Sequence, residues 1–382
     1  MNLIIDATNI KSGGGLTHIR EILSYDYAIY YGYEQIEIFA PQKTLDKLPN
    51  PHWLKKSTHK WLNKNYLFLA LWKIFIFNTY IKKKRSLIFI PGTGFSPKPY
   101  VTMCRNLLPL EHSEINRFFF SIEWLRLLVL RSLHLYSYKK AFTIIFLNTY
   151  CKNIVERELK NNSIKKFSII PHGLNKNYFK NFIKSEFITP SYNNPFKLIY
   201  VSTINLYKHQ WFLVRAIDEL NQNGFYIELT LVGDSQPDAM KLLNAELSLL
   251  KSPQYIKYLG QVEYNELQKY YRESDVFIFS SSCETFGMVI LEAMACGLPI
   301  LCSNFSSMPS TFENVPIYFD PFNDKSIKDA IIKVYNNPTL QNLLSNKSID
   351  LTNKFSWEIT SNKTFEYLSK ISNELKTKSE II

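Results

Sequence analysis

Residues 280–303 read SSSCETFGMVILEAMACGLPILCS, and this stretch decides the fold. The apolar run before it, DVFIF at residues 275–279, is typical of a buried parallel strand. The run after Gly287 predicts a helix that ends at Gly297, because glycine is a preferred C-terminal cap and a proline follows two residues later. Ile300 then begins another strand. A strand, loop, helix and strand in this order predict an α/β protein with a parallel sheet.

Two carboxylates, Glu284 and Glu292, lie eight residues apart on either side of Gly287. Glu284 falls in the loop at the carboxyl end of the predicted strand, where open α/β sheets bind ligands. Glu292 falls in an otherwise apolar helix, so its carboxylate needs a partner, a hydrogen bond or a proton. The hydroxyl groups of a sugar or ribose are suitable donors. Taken singly, Glu284 also fits a surface loop acid and Glu292 a helix cap or an ion pair, but the pair at this spacing favours a binding site.

The segment resembles the E-x7-E signature of the family 4 retaining glycosyltransferases, which have the GT-B fold of two Rossmann-like domains facing across a cleft. The residues that carry the resemblance are Glu284, Thr285, Phe286, Gly287, Leu291, Glu292, Ala293, Gly297 and Pro299. The resemblance implies that Glu284 lies against the donor sugar and that Glu292 binds the ribose hydroxyls. It also implies that backbone amides of the intervening stretch hold sugar and phosphate. The substrate-binding residues expected there are Thr285, Phe286, Gly287, Met288 and Val289.

The length of 382 residues is enough for two domains. Strands and helices alternate along the first half, which predicts an α/β domain over residues 1–185. The resemblance implies that this N-terminal domain binds the acceptor, and its basic charge predicts that it faces the membrane. The Pro- and Asn-containing residues 186–196 predict a linker, and a second alternation over residues 197–356 predicts a second α/β domain. The resemblance implies that this domain binds the nucleotide sugar. The tail, residues 357–382, predicts a long helix, which the resemblance to GT-B proteins brings back to the first domain.

Composition and charge narrow the class of protein. Five cysteines, none in a C-x-x-C pair, favour neither a disulfide framework nor a zinc site and fit a reducing cytoplasm. The opening run MNLIIDATNI predicts a strand and not a basic leader. Residues 1–190 carry 28 Lys and Arg against 12 Asp and Glu, whereas the remainder carries 17 against 21. We therefore expect an anionic partner for the first half, a membrane surface or nucleic acid, and we find no nucleic-acid-binding motif.

A glycine-rich loop follows the first predicted strand. Gly13, Gly14 and Gly15 precede a helix expected from about Leu16. Glycines let the backbone approach a ligand closely, and a helix N-terminus favours an anion, although a simple tight turn explains the loop equally well. The family resemblance implies that this loop faces the donor diphosphate.

Lys208 lies between a predicted strand and a predicted helix, and it can neutralise a diphosphate leaving group as that group gains charge. The alternative interpretation is that Lys208 is a solvated loop lysine. The family pattern here is a glycine, an arginine and, five residues on, a lysine. Ser202 and Thr203 replace the first two. One of two expected diphosphate cations is therefore missing, unless Arg215 or another side chain supplies it.

Other strand ends carry weaker candidates for substrate contacts. Arg105 and Asn106 follow the strand predicted at residues 100–104, where many family members carry a His-Asp pair, so both are expected near sugar or acceptor hydroxyls. His172, in the run Ile-Pro-His-Gly, resembles a family motif at the cleft floor and fits a plain loop histidine equally well. Val262 lies where the family lines the nucleotide base, although a strand-end turn fits as well.

Two segments of the first half mix aromatic and basic side chains, residues 53–85 and residues 115–140. The apolar run in the first of them, residues 66–81, is shorter than the roughly 20 residues of a membrane span. Both segments are compatible with interfacial helices flanked by cations, or with core helices whose basic ends are solvated. The first alternative predicts binding to an anionic membrane surface.

These features together predict a retaining hexosyltransferase that moves a sugar from a nucleotide diphosphate sugar to a lipid-linked or oligosaccharide acceptor. No cofactor and no metal are expected, because Lys208, backbone amides and helix dipoles would neutralise the diphosphate. The Tyr-Lys-His-Gln block at residues 207–210 is common in a bacterial branch that serves surface polysaccharide assembly, which predicts a role in O-antigen, capsule or lipopolysaccharide synthesis. We expect a cytoplasmic protein held peripherally on the inner face of the cell membrane. The alternatives are a GT-B nucleotide-sugar epimerase and a non-catalytic protein that binds membrane surfaces or nucleic acid.

Overall fold

The computed structural model of this chain describes residues 1–64, 66–84, 86–160, 164, 166–175 and 189–377. The chain forms two compact units. The first comprises Met1–Leu110, Ile122–Gly173 and Trp357–Ile382, and the second comprises Glu111–Ser121 and Leu174–Ser356. This division differs from the predicted domain boundaries, because Glu111–Ser121 belongs to the second unit and that unit resumes at Leu174. Residues 186–188 of the predicted linker lie outside the described residues.

The strands, in chain order, are β1 (Asn2–Asp6), β2 (Gln35–Phe39), β3 (Leu54–Ser57), β4 (Leu87–Ile90), β5 (Tyr100–Cys104), β6 (Thr143–Phe146), β7 (Phe167–Ile169), β8 (Phe196–Val201), β9 (Ile227–Val232), β10 (Ile256–Tyr258), β11 (Val276–Phe279), β12 (Ile300–Ser303) and β13 (Ile317–Phe319). The helices are α1 (Gly13–Ile22), α2 (Tyr27–Tyr30), α3 (Gln42–Leu45), α4 (Tyr66–Trp72), α5 (Asn78–Lys82), α6 (His112–Ile115), α7 (Ile122–Lys140), α8 (Thr149–Leu159), α9 (Gln210–Gln222), α10 (Pro237–Leu247), α11 (Tyr264–Arg272), α12 (Met288–Ala295), α13 (Met308–Phe312), α14 (Asp324–Tyr335), α15 (Pro338–Thr352) and α16 (Trp357–Thr377). A π-helical turn, Lys73–Phe77, joins α4 to α5.

The sheet of the first unit has the strand order β3-β2-β1-β4-β5-β6-β7, and its neighbouring strands are parallel. Its central strands, β4, β5 and β6, are buried along their whole length, as expected of a sheet covered on both faces. The strand order reverses between β1 and β4. In open parallel sheets, ligands bind beside the carboxyl ends of the strands at this reversal.

The sheet of the second unit has the order β10-β9-β8-β11-β12-β13 and is also parallel. Here the order reverses between β8 and β11. The DVFIF run supplies β11, and all four of its residues are buried. The predicted α/β fold with two Rossmann-like domains is therefore confirmed, with one parallel sheet in each unit.

The helix of the E-x7-E segment begins and ends close to the predicted residues, whereas the helix after the glycine loop begins earlier than predicted. Helix α12 begins after Gly287, whose φ is +84°, and Gly297 follows it with a φ of +77°. Helix α1 begins at Gly13 and not near Leu16, so the three glycines form its first turn. The prediction of a loop over these glycines was therefore wrong.

The first basic aromatic segment supplies part of the core of the first unit. Trp72, Phe77 and Ile81 are buried in a cluster with side chains of β1, β4 and β5, while Leu67 and Phe75 point to solvent. Trp72 and Phe77 fit the core-helix alternative, whereas Ile74, Phe75 and Ile76 are exposed. No helix in the described ranges is long and apolar enough to cross a membrane.

The second basic aromatic segment divides between the units. Residues up to Ser121 belong to the second unit, and α7 belongs to the first. One face of α7 exposes a row of apolar side chains at helical spacing. These side chains are Ile122, Leu125, Val129, Leu133 and Tyr136. This exposed row is called the α7 apolar face below.

Helix α16 completes the first unit by packing on α1 and α2. Ser361 Oγ donates a 2.7 Å hydrogen bond to the carbonyl of Ile22, and Tyr33 and Ser372 share one of 2.9 Å between their hydroxyl groups. Phe365 is fully buried between these contacts. The first unit therefore needs the last helix of the chain for its core.

Candidate functional site

An ion pair joins the loops that follow β8 and β11, the strands between which the order of the second sheet reverses. Lys208 Nζ pairs with the carboxylate of Glu284, and it also lies 4.8 Å from the ring centroid of Phe279 at the end of β11. The two charged side chains are 12% and 15% exposed. The structure thus brings together the two residues predicted to be catalytic, at the place where α/β sheets bind ligands.

The backbone around Lys208 is fixed by hydrogen bonds from the neighbouring strands. Tyr200 and Ser280 each donate from a hydroxyl group to the carbonyl of Lys208 at 2.7 Å. His209 Nε2 and Ser282 Oγ share a 2.8 Å hydrogen bond. Burial, with the charges of Arg117 and Lys208, lowers the pKa of His209 to about 3, so the imidazole is neutral. His209 therefore ties the two loops together, a role that sequence reasoning missed.

The loop that carries Glu284 is held from β12. The backbone N–H of Glu284 donates to Ser306 Oγ at 3.0 Å, and that hydroxyl donates to the carbonyl of Glu284 at 2.9 Å. Phe286 is buried and packs edge-on against Phe355, with ring centroids 5.8 Å apart. A ligand in this loop would therefore meet the backbone of Phe286 and not its side chain.

Gly287 opens α12, and a side chain there would be crowded. A Cβ there would lie 3.1 Å from Met308 Cε and 3.2 Å from Phe312 Cε2, and the positive φ adds strain for any other residue. The first N–H groups of a helix have no intrahelical acceptor. The amides of Met288 and Val289 are therefore available to accept an anion at the positive end of the helix dipole.

Glu292 is only 7% exposed and accepts hydrogen bonds from two tyrosines of α11. Tyr264 donates at 3.2 Å and Tyr271 at 3.3 Å. Burial raises the pKa of Glu292 to about 7, although both phenols act to lower it. Tyr271 is buried, whereas Tyr264 is 48% exposed, so one of the two donors faces solvent. Tyr264 and Tyr271 are seven residues apart, which places them on one face of a helix. This spacing could have indicated the hydrogen-bond donors of Glu292, but it was missed.

Arg215, the named candidate for the missing diphosphate cation, already has a carboxylate partner. Its guanidinium pairs with Glu246 of α10, and the hydrogen bond to that carboxylate raises its pKa. Arg117 is linked to His209 through an aromatic ring. Its guanidinium lies 4.9 Å from the ring centroid of Phe322, and the centroids of Phe322 and His209 are 4.7 Å apart. However, Arg117 is itself paired with the buried carboxylate of Glu114, with Nε donating at 2.7 Å.

Val262 lies in the loop between β10 and α11, two residues before Tyr264. A hydrogen bond joins the ends of β9 and β10 nearby, since the N–H of Gly233 donates to the carbonyl of Gly260 at 2.8 Å. A Cβ at Gly233 would stand 2.2 Å from the carbonyl oxygen of Ser202. The carboxyl ends of β8, β9 and β10 are therefore closely packed.

In the first unit, Arg105 lies against the glycine turn of α1. A Cβ at Gly15 would stand 2.7 Å from Arg105 Nη1, and one at Gly92, after β4, would stand 3.1 Å from Nη2. Asn106 is exposed, and its Oδ1 accepts the N–H of Leu108 at 3.1 Å, which forms a local turn. Of the pair predicted to contact substrate, Arg105 is therefore the one next to the glycines.

His172 is buried beside a second histidine of the first unit, His18 of α1. Their Nδ1 atoms lie 3.2 Å apart in a hydrogen bond, and Trp357 of α16 packs on both rings. Burial, with the charge of Arg105, lowers the pKa of His172 to about 3, and it also lowers that of His18. Both imidazoles are therefore neutral at physiological pH. His18 was not predicted, because a lone histidine in a helix carries no pattern.

Comparison with known proteins supports the fold. Residues 181–350 match the family model described as Glycosyl transferases group 1. The whole chain resembles sucrose-phosphate synthase from Thermosynechococcus elongatus, with a TM-score of 0.74 at 17% identity, covering 97% of this chain and 99% of that one. It also resembles Anabaena HepE in complex with UDP and glucose, with a TM-score of 0.69 at 17% identity over 97% and 99% of the chains. The fold is therefore GT-B.

Two curated relatives are similar in sequence over shorter stretches. O-antigen chain mannosyltransferase B of Escherichia coli is 31% identical over 110 residues, which are 29% of each protein. Alpha-monoglucosyldiacylglycerol synthase of Acholeplasma laidlawii is 28% identical over 219 residues, which are 54% of each. The aligned stretch thus covers between about a third and a half of these relatives.

The pKa of Glu292 predicts a specific dependence of stability on pH. Between the ordinary glutamate value of 4.5 and about 7, the folded protein keeps a proton that the unfolded chain loses, so stability falls as pH rises through this window. The total loss is on the order of 3 kcal/mol. Glu292→Gln removes it, so the variant should gain stability relative to the wild type between pH 5 and pH 8.

Urea unfolding at both pH values measures this difference. Glu266→Gln, which changes an exposed acid of α11, is the control and should follow the wild type. Parallel pH dependence of the wild type and Glu292→Gln would contradict the assignment of a raised pKa.

Proposed function

We propose that this protein is a retaining glycosyltransferase that moves a hexose from a nucleoside diphosphate sugar to a glycan acceptor. The observation that carries the proposal is the Lys208–Glu284 ion pair at the reversal of the second sheet, with Glu292 on the helix that follows. The match to the group 1 glycosyltransferase model over residues 181–350 supports it, because those residues include all three side chains.

Lys208 and the first turn of α12 would bind the donor diphosphate. Two hydrogen bonds fix the backbone carbonyl of Lys208, and its ammonium group lies in a largely buried setting, where a charge acts more strongly than in water. Negative charge on the diphosphate grows as the bond to the sugar breaks. Lys208 and the amides of Met288 and Val289 therefore stabilise the transition state more than the bound donor.

Glu284 and Glu292 would bind the two hydroxyl-bearing parts of the donor. Glu284 is held next to Lys208, so it can accept hydrogen bonds from the sugar that is bonded to the diphosphate. Glu292 would accept the ribose hydroxyls, which can replace the exposed phenol of Tyr264 while Tyr271 stays in place. Such hydrogen bonds favour the ionised carboxylate, so nucleotide binding would be accompanied by proton release near pH 7.

The reaction would proceed on one face of the sugar. The bond from C1 to the diphosphate oxygen breaks, the acceptor oxygen bonds to C1 on the same face, and the departing phosphate takes the acceptor proton. Glu284 is a poor covalent nucleophile, because its carboxylate is already paired with Lys208. No metal takes part in this proposal, since Lys208 and the helix dipole supply the positive charge.

The acceptor would be lipid-linked, and the setting would be bacterial surface polysaccharide assembly at the inner face of the cell membrane. The Tyr-Lys-His-Gln block and the similarity to an O-antigen mannosyltransferase support this setting. The α7 apolar face, with the exposed cations Arg126, Lys139 and Lys140 on the same helix, suits a membrane surface that carries negative charge.

The first prediction separates the two acids. Glu284→Ala and Glu292→Ala should each lower donor turnover at least a hundredfold, because each removes a contact that orients the donor. Only Glu292→Ala should also weaken the binding of UDP or GDP. Turnover is measured as nucleoside diphosphate release across a panel of UDP and GDP sugars, with Glu266→Ala as the control. Wild-type turnover in both site variants would reject the site.

The second prediction concerns the leaving group. Lys208→Ala should lower kcat by roughly 10²–10³ and change the donor KM less, because the lost interaction strengthens in the transition state. Lys257→Ala, which removes an exposed lysine of β10 paired with Glu228, is the matched control and should keep wild-type kcat. Activity should also survive EDTA, and a complete loss restored by manganese would reject the metal-independent mechanism.

The third prediction concerns the membrane. The full chain should sediment with vesicles that contain phosphatidylglycerol, and less at high salt, since each Lys or Arg contributes about 1 kcal/mol at an anionic surface and salt screens it. Val129→Glu on the α7 apolar face should weaken this binding. Leu249→Glu, at an exposed leucine of the second unit, should not. No sedimentation of the wild type, or equal losses in both variants, would argue against the membrane surface.

A further inference from the structure

We propose that a cavity at the amino ends of β5, β6 and β7 in the first unit is a ligand site, which binds an organic phosphate through lysine ammonium groups and aromatic rings. This cavity is lined mainly by residues 95–99 and 138–144, and it is called the amino-end cavity below. The inference goes beyond the proposed function and does not rest on it. Binding is measured without turnover, so its test is independent of the transfer reaction.

The amino-end cavity is formed where the chain enters three neighbouring parallel strands. Pro99 precedes β5, Phe142 precedes β6 and Lys166 precedes β7, and all three line a cavity of about 950 Å³. This volume is within the range of small-molecule sites, roughly 300–1,000 Å³. Arg105 follows the other end of the five-residue β5, which at about 3.3 Å per residue is roughly 15–20 Å away. The cavity is therefore separate from the carboxyl ends of the strands, where parallel sheets usually bind ligands.

The lining of the amino-end cavity is positively charged. Among its described residues there are four lysines and no acid. The lysines are Lys98, Lys139, Lys140 and Lys166. Lys166 is paired with Glu374 of α16, which leaves three ammonium groups in excess. Helix α7 ends at Lys140, and its C-terminus contributes only about half a negative charge. The balance is positive, so an anion with one or two charges complements this cavity.

The wall before β5 is held in place by α7. The hydroxyl of Tyr100 donates to the carbonyl of Ser137 at 2.6 Å. Ser96 is buried, and its Oγ accepts the N–H of Lys98 at 3.2 Å. The ammonium group of Lys98 donates to the carbonyl of Lys84, and burial lowers the pKa of Lys98. This ammonium group is thus positioned and partly dehydrated, and a charge in such a setting attracts an anion more strongly than one in water.

The wall before β6 and β7 is held by α16. Thr143 and Tyr367 share a hydrogen bond between their hydroxyl groups, and Lys166 is paired with Glu374. The ammonium group of Lys166 also lies 5.1 Å from the ring centroid of Phe142. The cavity is therefore formed before a ligand binds, so binding needs little further ordering of these side chains.

Aromatic rings give the amino-end cavity an apolar part. Phe95 and Tyr136 pack with ring centroids 5.4 Å apart, and Phe142 lines the cavity beside Lys166. Ammonium groups bind phosphate oxygens, whereas the rings suit the carbon skeleton that carries the phosphate. An organic phosphate is therefore a better match than a bare inorganic ion.

Two sources could supply this phosphate group. One is the headgroup of an anionic phospholipid. It could reach the cavity along the α7 apolar face, because Tyr136 belongs to both. The other source is a soluble organic phosphate, such as a sugar phosphate, which would enter from solvent. Both present the same chemistry to the lysines.

Calorimetric titration of the full chain with glycerol 3-phosphate tests the site. The chain carries Lys208→Ala, so that the ammonium group of the second unit does not contribute. Adding Lys98→Gln and Lys140→Gln together should weaken binding by about tenfold or more, because two charged hydrogen-bond donors are lost. The control combines Lys43→Gln with Lys47→Gln, two exposed lysines of the same unit, and should keep the parent affinity. Equal affinity in the two double variants, or no binding by the parent, would overturn the proposal.

Lysine reactivity locates the bound phosphate without any substitution. In the wild-type chain, reductive methylation followed by peptide mass spectrometry reports each ammonium group separately. Glycerol 3-phosphate should slow the methylation of Lys139 and Lys140, which are exposed, and should not affect Lys43 and Lys47. Glycerol should protect neither pair, since it lacks the phosphate. Absence of protection at Lys139 and Lys140, or equal protection of both pairs, would contradict the site.

Vesicle binding distinguishes the two sources. If the ligand is a headgroup, Lys98→Gln with Lys140→Gln should sediment with phosphatidylglycerol vesicles less than the control double variant, and the vesicles should compete with glycerol 3-phosphate. If the ligand is soluble, the two double variants should sediment equally and the vesicles should not compete. In both cases Val129→Glu should still bind glycerol 3-phosphate, because Val129 lies outside the cavity lining. Loss of that binding in Val129→Glu would argue against the amino-end cavity as the site.

Discussion

The second unit depends on one constraint: a lysine and a glutamate must be kept together where the strand order of the sheet reverses. Lys208 and Glu284 are far apart in the chain, and neither is exposed enough to be hydrated fully. The surrounding bonds serve this constraint. The carbonyl of Lys208 is held by two hydroxyl groups, and His209 and Ser306 fix the loops on either side. In the proposed function, a bound diphosphate would replace the carboxylate of Glu284 as the charged partner of Lys208.

Two opposing effects set the pKa of Glu292 close to physiological pH. Burial favours the protonated form and two phenols favour the ionised form. A pKa of about 7 means that small changes around this group alter its charge at physiological pH. The backbone amides at the N-terminus of α12 carry a partial positive charge that does not change with pH. The charge of Glu292, in the same helix, does change with pH.

The sequence was most informative where local chemistry decides structure. The apolar run of β11, the glycines around α12 and the spacing of Glu284 and Glu292 predicted that unit closely, because strands, caps and loops there obey local rules. The edge strand β3, with the sequence LKKS, was missed, because two adjacent lysines interrupt the apolar pattern that indicates a strand. The tyrosines on Glu292, the His18–His172 pair and the transfer of Glu111–Ser121 to the second unit arise from tertiary packing, which no window of sequence encodes.

The way the chain is shared between the units has a consequence for its synthesis. Neither unit is one continuous stretch, since Glu111–Ser121 is inserted in the sequence of the first and Trp357–Ile382 returns to it from the far end. Until α16 leaves the ribosome, the surface of α1 that receives Ser361 and the cavity that receives Phe365 stay uncovered. The first unit to be translated is thus the last to be completed, and a nascent chain stalled before residue 357 would present an open core to chaperones.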